Sequence, residues 1–222
     1  MALLAGTDGR RFAVTPAQLL QQIGDVPRVV FDLDGTIYDT RDFERPALAA
    51  VAAWLREVSS QPLEGLVQAL WQRRETDRHK PGLFDDLLAR YGLPQSWGAE
   101  CARRFHDYPA PELEQAQSLR RQLGELRAAQ IRLALVSNGY ERLQQRKLTL
   151  LGLRDMFEVC IFCDPRRPQQ LKPAPWAWSQ LADWRAALPL RYVGDDPVDA
   201  DFALAGGVPF VRFCFRSSVY GD

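Results

Sequence analysis

The sequence predicts an α/β protein: an open parallel sheet into which a separate α-helical bundle has been inserted. Three observations carry this reading. From Ile131 onward, strand-like and helix-like segments alternate, the rhythm of parallel strands joined by crossover helices. The stretch from Glu44 to Arg127 instead carries apolar residues at three- and four-residue spacing, and nothing in it reads as a strand. Ahead of both, the run Val29-Val30-Phe31 must rejoin the later sheet, because an isolated strand leaves its own N–H and C=O groups unpaired.

Residues 1–27 form a lead-in with one short helical candidate at Pro16 to Ile23. The first strand then closes on Asp32-Leu33-Asp34-Gly35-Thr36, two acids and a turn. In the helical stretch, Leu48, Val51, Leu55 and Val58 mark one apolar face, and Leu63, Leu66, Val67 and Leu70 mark another. Breaks at Ser59 to Pro62, Lys80 to Gly82 and Tyr91 to Pro94 divide it into about four helices. Beyond it the expected elements are a strand at Ile131 to Val136, a helix at Glu141 to Leu151, a strand at Val159 to Phe162 and a helix at Pro175 to Trp184. A strand at Arg191 to Val193, a helix at Val198 to Ala205 and a strand at Pro209 to Phe213 complete the pattern. The core is expected over 1–43 and 128–222, and the inserted helical domain over 44–127.

Composition excludes several functions. Acidic and basic residues balance at 28 each in 222 residues, so no sustained field draws nucleic acid or an anionic membrane surface, although a local site for a small anion remains open. No apolar run reaches membrane-spanning length, and the N-terminus lacks the pattern of a signal peptide, which predicts a cytoplasmic protein. Four cysteines (Cys101, Cys160, Cys163, Cys214) lie in segments that read as core, and Cys160-x-x-Cys163 has no second Cys/His pair nearby, so reduced thiols are expected rather than a zinc site. Only three lysines occur, Lys80, Lys147 and Lys172, which makes a lysine beside other polar motifs informative.

In an open parallel sheet, ligands bind beyond the carboxyl ends of the strands, and the chemically active residue types collect there. The first strand delivers Asp32 and Asp34, the second Ser137-Asn138-Gly139, and the fourth Gly194-Asp195-Asp196, with Leu171-Lys172-Pro173 between the last two. Taken singly, these are a helix cap, a solvated lysine and a tight turn before a helix. Taken together at successive strand exits they suit phosphoryl transfer. Asp32 can form an acyl-phosphate, dividing one hard displacement into two easier ones. Asp34 can protonate the leaving oxygen and then deprotonate water. Ser137, with the following backbone N–H groups, and Lys172 can hold phosphoryl oxygens. Asp32, Asp195 and Asp199, with the main-chain carbonyl of Asp34, offer oxygen ligands suited to Mg2+.

These four motifs resemble those of the haloacid dehalogenase-like hydrolase superfamily over about residues 28–213: Asp32-x-Asp34-Gly35-Thr36, Ser137-Asn138-Gly139, Lys172-Pro173 and Gly194-Asp195-Asp196. The helical insertion after the first motif, and Gln145-Arg146-Lys147-Leu148 followed by Gly152, are similar to the subclass with a small helical cap, which includes phosphoglycolate phosphatase-like and nucleotidase-like enzymes. The resemblance implies a Rossmann-like core with a helical cap, Asp32 as nucleophile, Asp34 as acid/base, Ser137, Asn138 and Lys172 as phosphate binders, and a magnesium ion on Asp32, Asp34, Asp195 and Asp199, where Asp199 fits the family's spacing for the second acid of the last motif and Asp201 would need a one-residue insertion. It further implies that an acid at position 34 separates phosphatases from dehalogenases, which lack one there.

The expected function is therefore hydrolysis of a small phosphorylated metabolite, such as a sugar phosphate, a nucleotide or a phosphoglycolate-like ester, by a monomer or homodimer. The alternatives are a phosphomutase and a non-catalytic regulatory protein on the same scaffold. Specificity is expected from the cap, where Arg45, Arg103, Arg104, His106 and the run Arg73 to Lys80 are candidates, with Trp54, Trp71 and Trp97 as packing anchors. Tyr38, just past the first motif, is placed to touch substrate.

Overall fold

The computed structural model describes residues 16–76, 82–110, 116–186 and 189–213. In chain order these form helix α1 (Pro16–Ile23), strand β1 (Arg28–Phe31), and helices α2 (Arg41–Val58), α3 (Leu66–Thr76), α4 (Leu83–Arg90) and α5 (Gly98–His106). There follow α6 (Ala116–Ala128), β2 (Arg132–Asn138), α7 (Glu141–Leu150), β3 (Val159–Cys163), α8 (Trp176–Gln180), α9 (Ala182–Ala186), β4 (Arg191–Gly194), α10 (Pro197–Gly206) and β5 (Phe210–Arg212). The chain divides into two compact units, one of Met1–Asp39 with Glu114–Asp222 and the other of Thr40–Leu113.

In the first unit the strands pair in the order β3-β2-β1-β4-β5, and every pair is parallel. This is the Rossmann-like α/β sheet that the alternating pattern predicts. Phe31 stands opposite both Leu135 of β2 and Val193 of β4, so Asp32, Ser137 and Asp195 leave the sheet at neighbouring heights. The chain runs from β1 outward to β3 and then returns to the far side of β1. That reversal puts a switch point, and hence a crevice, beside Asp32.

One face of the sheet presents Val30, Ala134, Val136, Ile161 and Tyr192, which cluster with Trp178, Leu181, Phe202 and Ala203. Trp178 stacks on Phe202 with centroids 4.6 Å apart, and its Nε1 donates to the Phe202 carbonyl at 2.7 Å. Gly206 lies so close beneath the indole that any Cβ there would overlap it. On the other face Phe31 meets Phe157 edge-on, and α6 buries Leu123 and Leu126.

Two expectations are corrected. The helix at Ala116–Ala128 was expected in the inserted domain. It belongs to the first unit, where it contacts α1 and β2, because the crossover leading into β2 has to cover the sheet. The single helix expected over Pro175 to Trp184 is two, α8 and α9, separated at Leu181.

The second unit is helical throughout its described residues. α2 buries Phe43, Ala47, Leu48, Val51, Ala52 and Leu55, and it packs against α3 and α5. Phe105 is the centre of an aromatic group, edge-on to Phe43 and Phe84. The expected tryptophan anchors are half-buried: Trp54 meets Trp97 edge-on beneath Arg104, and Trp71 lies under Arg45. In the basic run, Arg74 pairs with the buried Glu44 and Arg73 with Asp86, so both hold the bundle together. Arg78, His79 and Lys80 lie outside the described residues, as does Cys214. Among the described residues no helix is long and apolar enough to cross a membrane.

Candidate active site

Short local causes place each group. Asp32 follows the last residue of β1, and its N–H still donates to the Val193 carbonyl at 2.9 Å, which locks it to β4. Gly35, at φ +89°, turns the chain where a Cβ would lie 2.5 Å from Asp195 Oδ2, so only glycine lets the two loops approach this closely. The Thr36 hydroxyl lies 3.1 Å from Asp195 Oδ1 and 3.3 Å from Asp32 Oδ2. At the end of β4, Asp196 caps α10 by accepting from the Val198 N–H at 2.9 Å. Asp199 completes a capping box by accepting from the Asp196 N–H at 3.2 Å. Asp199 is 2% exposed, whereas Asp201 is exposed to solvent.

Lys172 joins these loops. Its Nζ donates to Asp32 Oδ1 at 2.5 Å, to Asp199 Oδ1 at 2.6 Å and to the Tyr192 hydroxyl at 3.0 Å, and Tyr192 lies 3.1 Å from Asp199 Oδ1. Asn138 uses its side chain to hold this lysine's backbone. Its Nδ2 donates to the Lys172 carbonyl at 3.3 Å, and its Oδ1 accepts from the Lys172 N–H at 2.9 Å. The expected phosphate-binding amide thus also clasps two loops together, with its oxygen and one of its two N–H donors engaged.

Burial is the main force pushing the Asp32 carboxyl well above its usual range, with Asp199 and Asp195 adding to it and Lys172 opposing. Burial works against the charge on Lys172, but Asp199 and Asp32 override it and raise that group too. Asp32 and Asp199 share the Lys172 ammonium, and with Asp195 close to both these groups hold more carboxylates than cations. Asp32, Asp195 and Asp199 each turn an oxygen to within 4.8 Å of the others. An all-carboxylate oxygen set with this charge deficit fits a hard divalent cation. The Asp34 side chain stands outside that set.

Asp34 is held by three residues that the strand-exit argument does not supply. Tyr38 donates to Oδ1 at 2.6 Å, Gln144 to Oδ2 at 2.7 Å, and Lys147 to both oxygens at 2.7 and 2.8 Å. Burial alone would raise this carboxyl, but Lys147, Gln144 and Tyr38 together take it far below the usual carboxylate range. Tyr38, expected at the substrate, is 1% exposed and is bonded inward instead. The signal for Gln144 and Lys147 was present in two features, a three-residue spacing on the helix after Gly139 and one of only three lysines in the chain.

Beyond the ends of β2 and β3 lies a groove of about 500 Å³, lined by Tyr140, Arg142, Phe162, Asp164, Arg167 and Trp176 among others. Of the cysteines, Cys101 and Cys163 are buried and Cys160 is half-buried, all as free thiols.

A family model described as a haloacid dehalogenase-like hydrolase matches residues 26–207. No curated protein sequence matches the chain. Among solved structures, a Thermotoga maritima protein provisionally assigned as a beta-phosphoglucomutase is similar with a TM-score of 0.59 at 19% identity, covering 86% of this chain and 88% of that one. A predicted phosphoglycolate phosphatase from Haemophilus somnus 129PT gives 0.58 at 19% identity over 87% and 88%. An L-2-haloacid dehalogenase from Xanthobacter autotrophicus with chloropropionic acid covalently bound gives 0.54 at 23% identity over 87% and 79%. At these identities the likeness is one of fold.

Proposed function

The chain belongs to the haloacid dehalogenase-like hydrolase family, and from that premise we propose that it is a magnesium-dependent phosphatase acting on a small phosphate monoester through an aspartyl-phosphate. The observation that carries this is Asp34. Two residues beyond the nucleophile stands a second carboxylate, fixed by Tyr38, Gln144 and Lys147. A reaction whose leaving group needs no proton has no use for it.

One oxygen of Asp32 attacks phosphorus in line with the ester oxygen, so a bond from Asp32 to phosphorus forms as the ester bond breaks. Lys172 steadies the attacking carboxylate and the transferring oxygens, and the Ser137 hydroxyl donates to another phosphoryl oxygen. Asp32, Asp195, Asp199 and the Asp34 main-chain carbonyl would hold a divalent cation, which would supply the charge that lets two anions meet. Lys147, Gln144 and Tyr38 hold Asp34 ionised in the resting site, so it takes up a proton as the substrate binds and passes it to the departing alkoxide; it then takes one from the water that attacks the acyl-phosphate, releasing inorganic phosphate and restoring Asp32.

The test is hydrolysis of p-nitrophenyl phosphate with magnesium and with a chelator. Asp32→Asn is expected to lower kcat by about 1,000-fold or more, and Asp34→Asn by about 100- to 10,000-fold. Beryllium fluoride should label position 32. Activity that ignores the metal or survives Asp32→Asn overturns the proposal, chloride release from 2-chloropropionate would replace it with a dehalogenase, and isomerised sugar phosphate without free phosphate would make it a mutase.

A further inference from the structure

Gln144 lies at the junction of the two halves of this site. It is fully buried and sits one helical turn before Lys147 on α7, and neither the motifs nor the strand ends give it a role. Its Nε2 is 2.7 Å from Asp34 Oδ2, 2.7 Å from Ser137 Oγ and 3.2 Å from the Asn138 carbonyl, while its Oε1 has no partner. The orientation of the amide is therefore fixed by chemistry. A carboxylate and a carbonyl only accept, so the NH2 end must face them, and its two hydrogens go to the two near neighbours.

That fixes the direction of the Ser137 hydroxyl. An amide nitrogen cannot accept, so Ser137 Oγ must be the acceptor in its contact with Gln144. The proton of Ser137 then has no acceptor among the described residues, although the residue is 1% exposed. A buried hydroxyl with its oxygen engaged and its proton unassigned is a donor waiting for a ligand. Gly139 makes the arrangement possible, since a Cβ there would lie 2.8 Å from the Gln144 amide carbon and nitrogen.

We infer that Gln144 is a positioning residue: by donating to Ser137 Oγ it commits the serine proton to a phosphoryl oxygen, and through the same nitrogen it ties that donor to the Asp34 carboxylate. The inference deepens the phosphatase reading and rests on it. It predicts that Gln144 acts through Ser137, which a packing role would not do.

The experiment is a double-mutant cycle on the full chain with Gln144→Met, Ser137→Ala and both together, each checked for native folding by circular dichroism. Two quantities are read: the affinity for inorganic phosphate by calorimetry in magnesium, and kcat with p-nitrophenyl phosphate. In the parent background Gln144→Met is expected to weaken phosphate binding about 5- to 10-fold and to lower kcat about 10- to 100-fold. In the Ser137→Ala background the same change should alter phosphate affinity less than about 2-fold, because the proton it directs is gone. Gln144→Leu is the second variant should the methionine fail to fold, and the same pattern is expected of it. Equal losses of phosphate affinity in both backgrounds overturn the role of Gln144 alone. A parent with no magnesium-dependent hydrolysis overturns the phosphatase reading instead.

Discussion

At Asp34 a single carboxylate receives Tyr38, Gln144 and both contacts of Lys147, and the consequences for stability can be signed. The native carboxyl is depressed, so the stability it contributes is fully present above the unfolded carboxyl's pKa of about 4 and is lost as pH falls towards the native value. Lys147→Met removes the ammonium and leaves the largely buried carboxylate facing only neutral donors, a cost of about 2 kcal/mol at pH 7. The difference in melting temperature between parent and variant is therefore expected to be largest near neutrality and to shrink below about pH 4, where protonation relieves the variant. A difference that stays constant across that range would contradict the pairing. The same residue shows where sequence reading stops. Asp32, Asp34, Ser137, Lys172, Asp195 and Asp199 are legible because strand ends gather polar groups on one edge. Gln144 and Lys147 reach Asp34 across 110 and 113 positions of chain, and that contact depends on how α7 is rotated, which no local pattern records. Asn138 illustrates another limit: its residue type suits phosphate, and only the path of the Lys172 loop shows that its amide also holds that loop.

The helices that flank the sheet differ in how much of their role the sequence expressed. The alternation after Ile131 was enough for β2 to β5 and for α7 and α10, because each strand is a short apolar run and each helix has its own turn signals. It was not enough for α6, whose apolar spacing is the same whether it packs on a bundle or on a sheet. Nor does spacing reveal that α10 ends against an indole. At Gly206 the van der Waals overlap of any Cβ with Trp178 predicts that Gly206→Ala, normally a gain in helix propensity, instead destabilises the first unit by about 1–3 kcal/mol through overpacking. Chemical denaturation with an unchanged m-value and a lower midpoint would show it, and a rise in midpoint would refute the close approach. Strand β3 permits a further test. Burial pushes the Cys160 and Cys163 thiols up to about 11, so at pH 8 peptide mapping after iodoacetamide should find both modified about 100-fold more slowly than a free thiol with its usual pKa near 8.5.

Over the whole molecule, charge balance hides a local imbalance that governs stability. The chain carries 28 acidic and 28 basic residues, yet Asp32, Asp195 and Asp199 converge within 4.8 Å of one another, with Lys172 paired to Asp32 and Asp199. Because burial and the two neighbouring acids raise the Asp32 carboxyl in the native state, native protein holds a proton that unfolded protein has released. Metal-free stability therefore falls as pH rises above about 4, through the window between the unfolded and native values. A divalent cation on the same oxygens needs them ionised and binds only the folded chain, so it should restore this loss increasingly as pH rises. At a magnesium concentration about 100 times its dissociation constant the gain is about 2.7 kcal/mol, which for a chain of this length is about 5–10 °C in Tm. Differential scanning fluorimetry in magnesium against chelator is expected to show that shift at pH 7.5, a smaller one at pH 5, and almost none in Asp195→Asn at either pH. The variant should also melt higher than the parent in chelator, since it removes one of three mutually repelling charges without opening a cavity. An Asp195→Asn protein that keeps the full magnesium shift would place the cation elsewhere and remove the support this cluster gives to phosphoryl transfer.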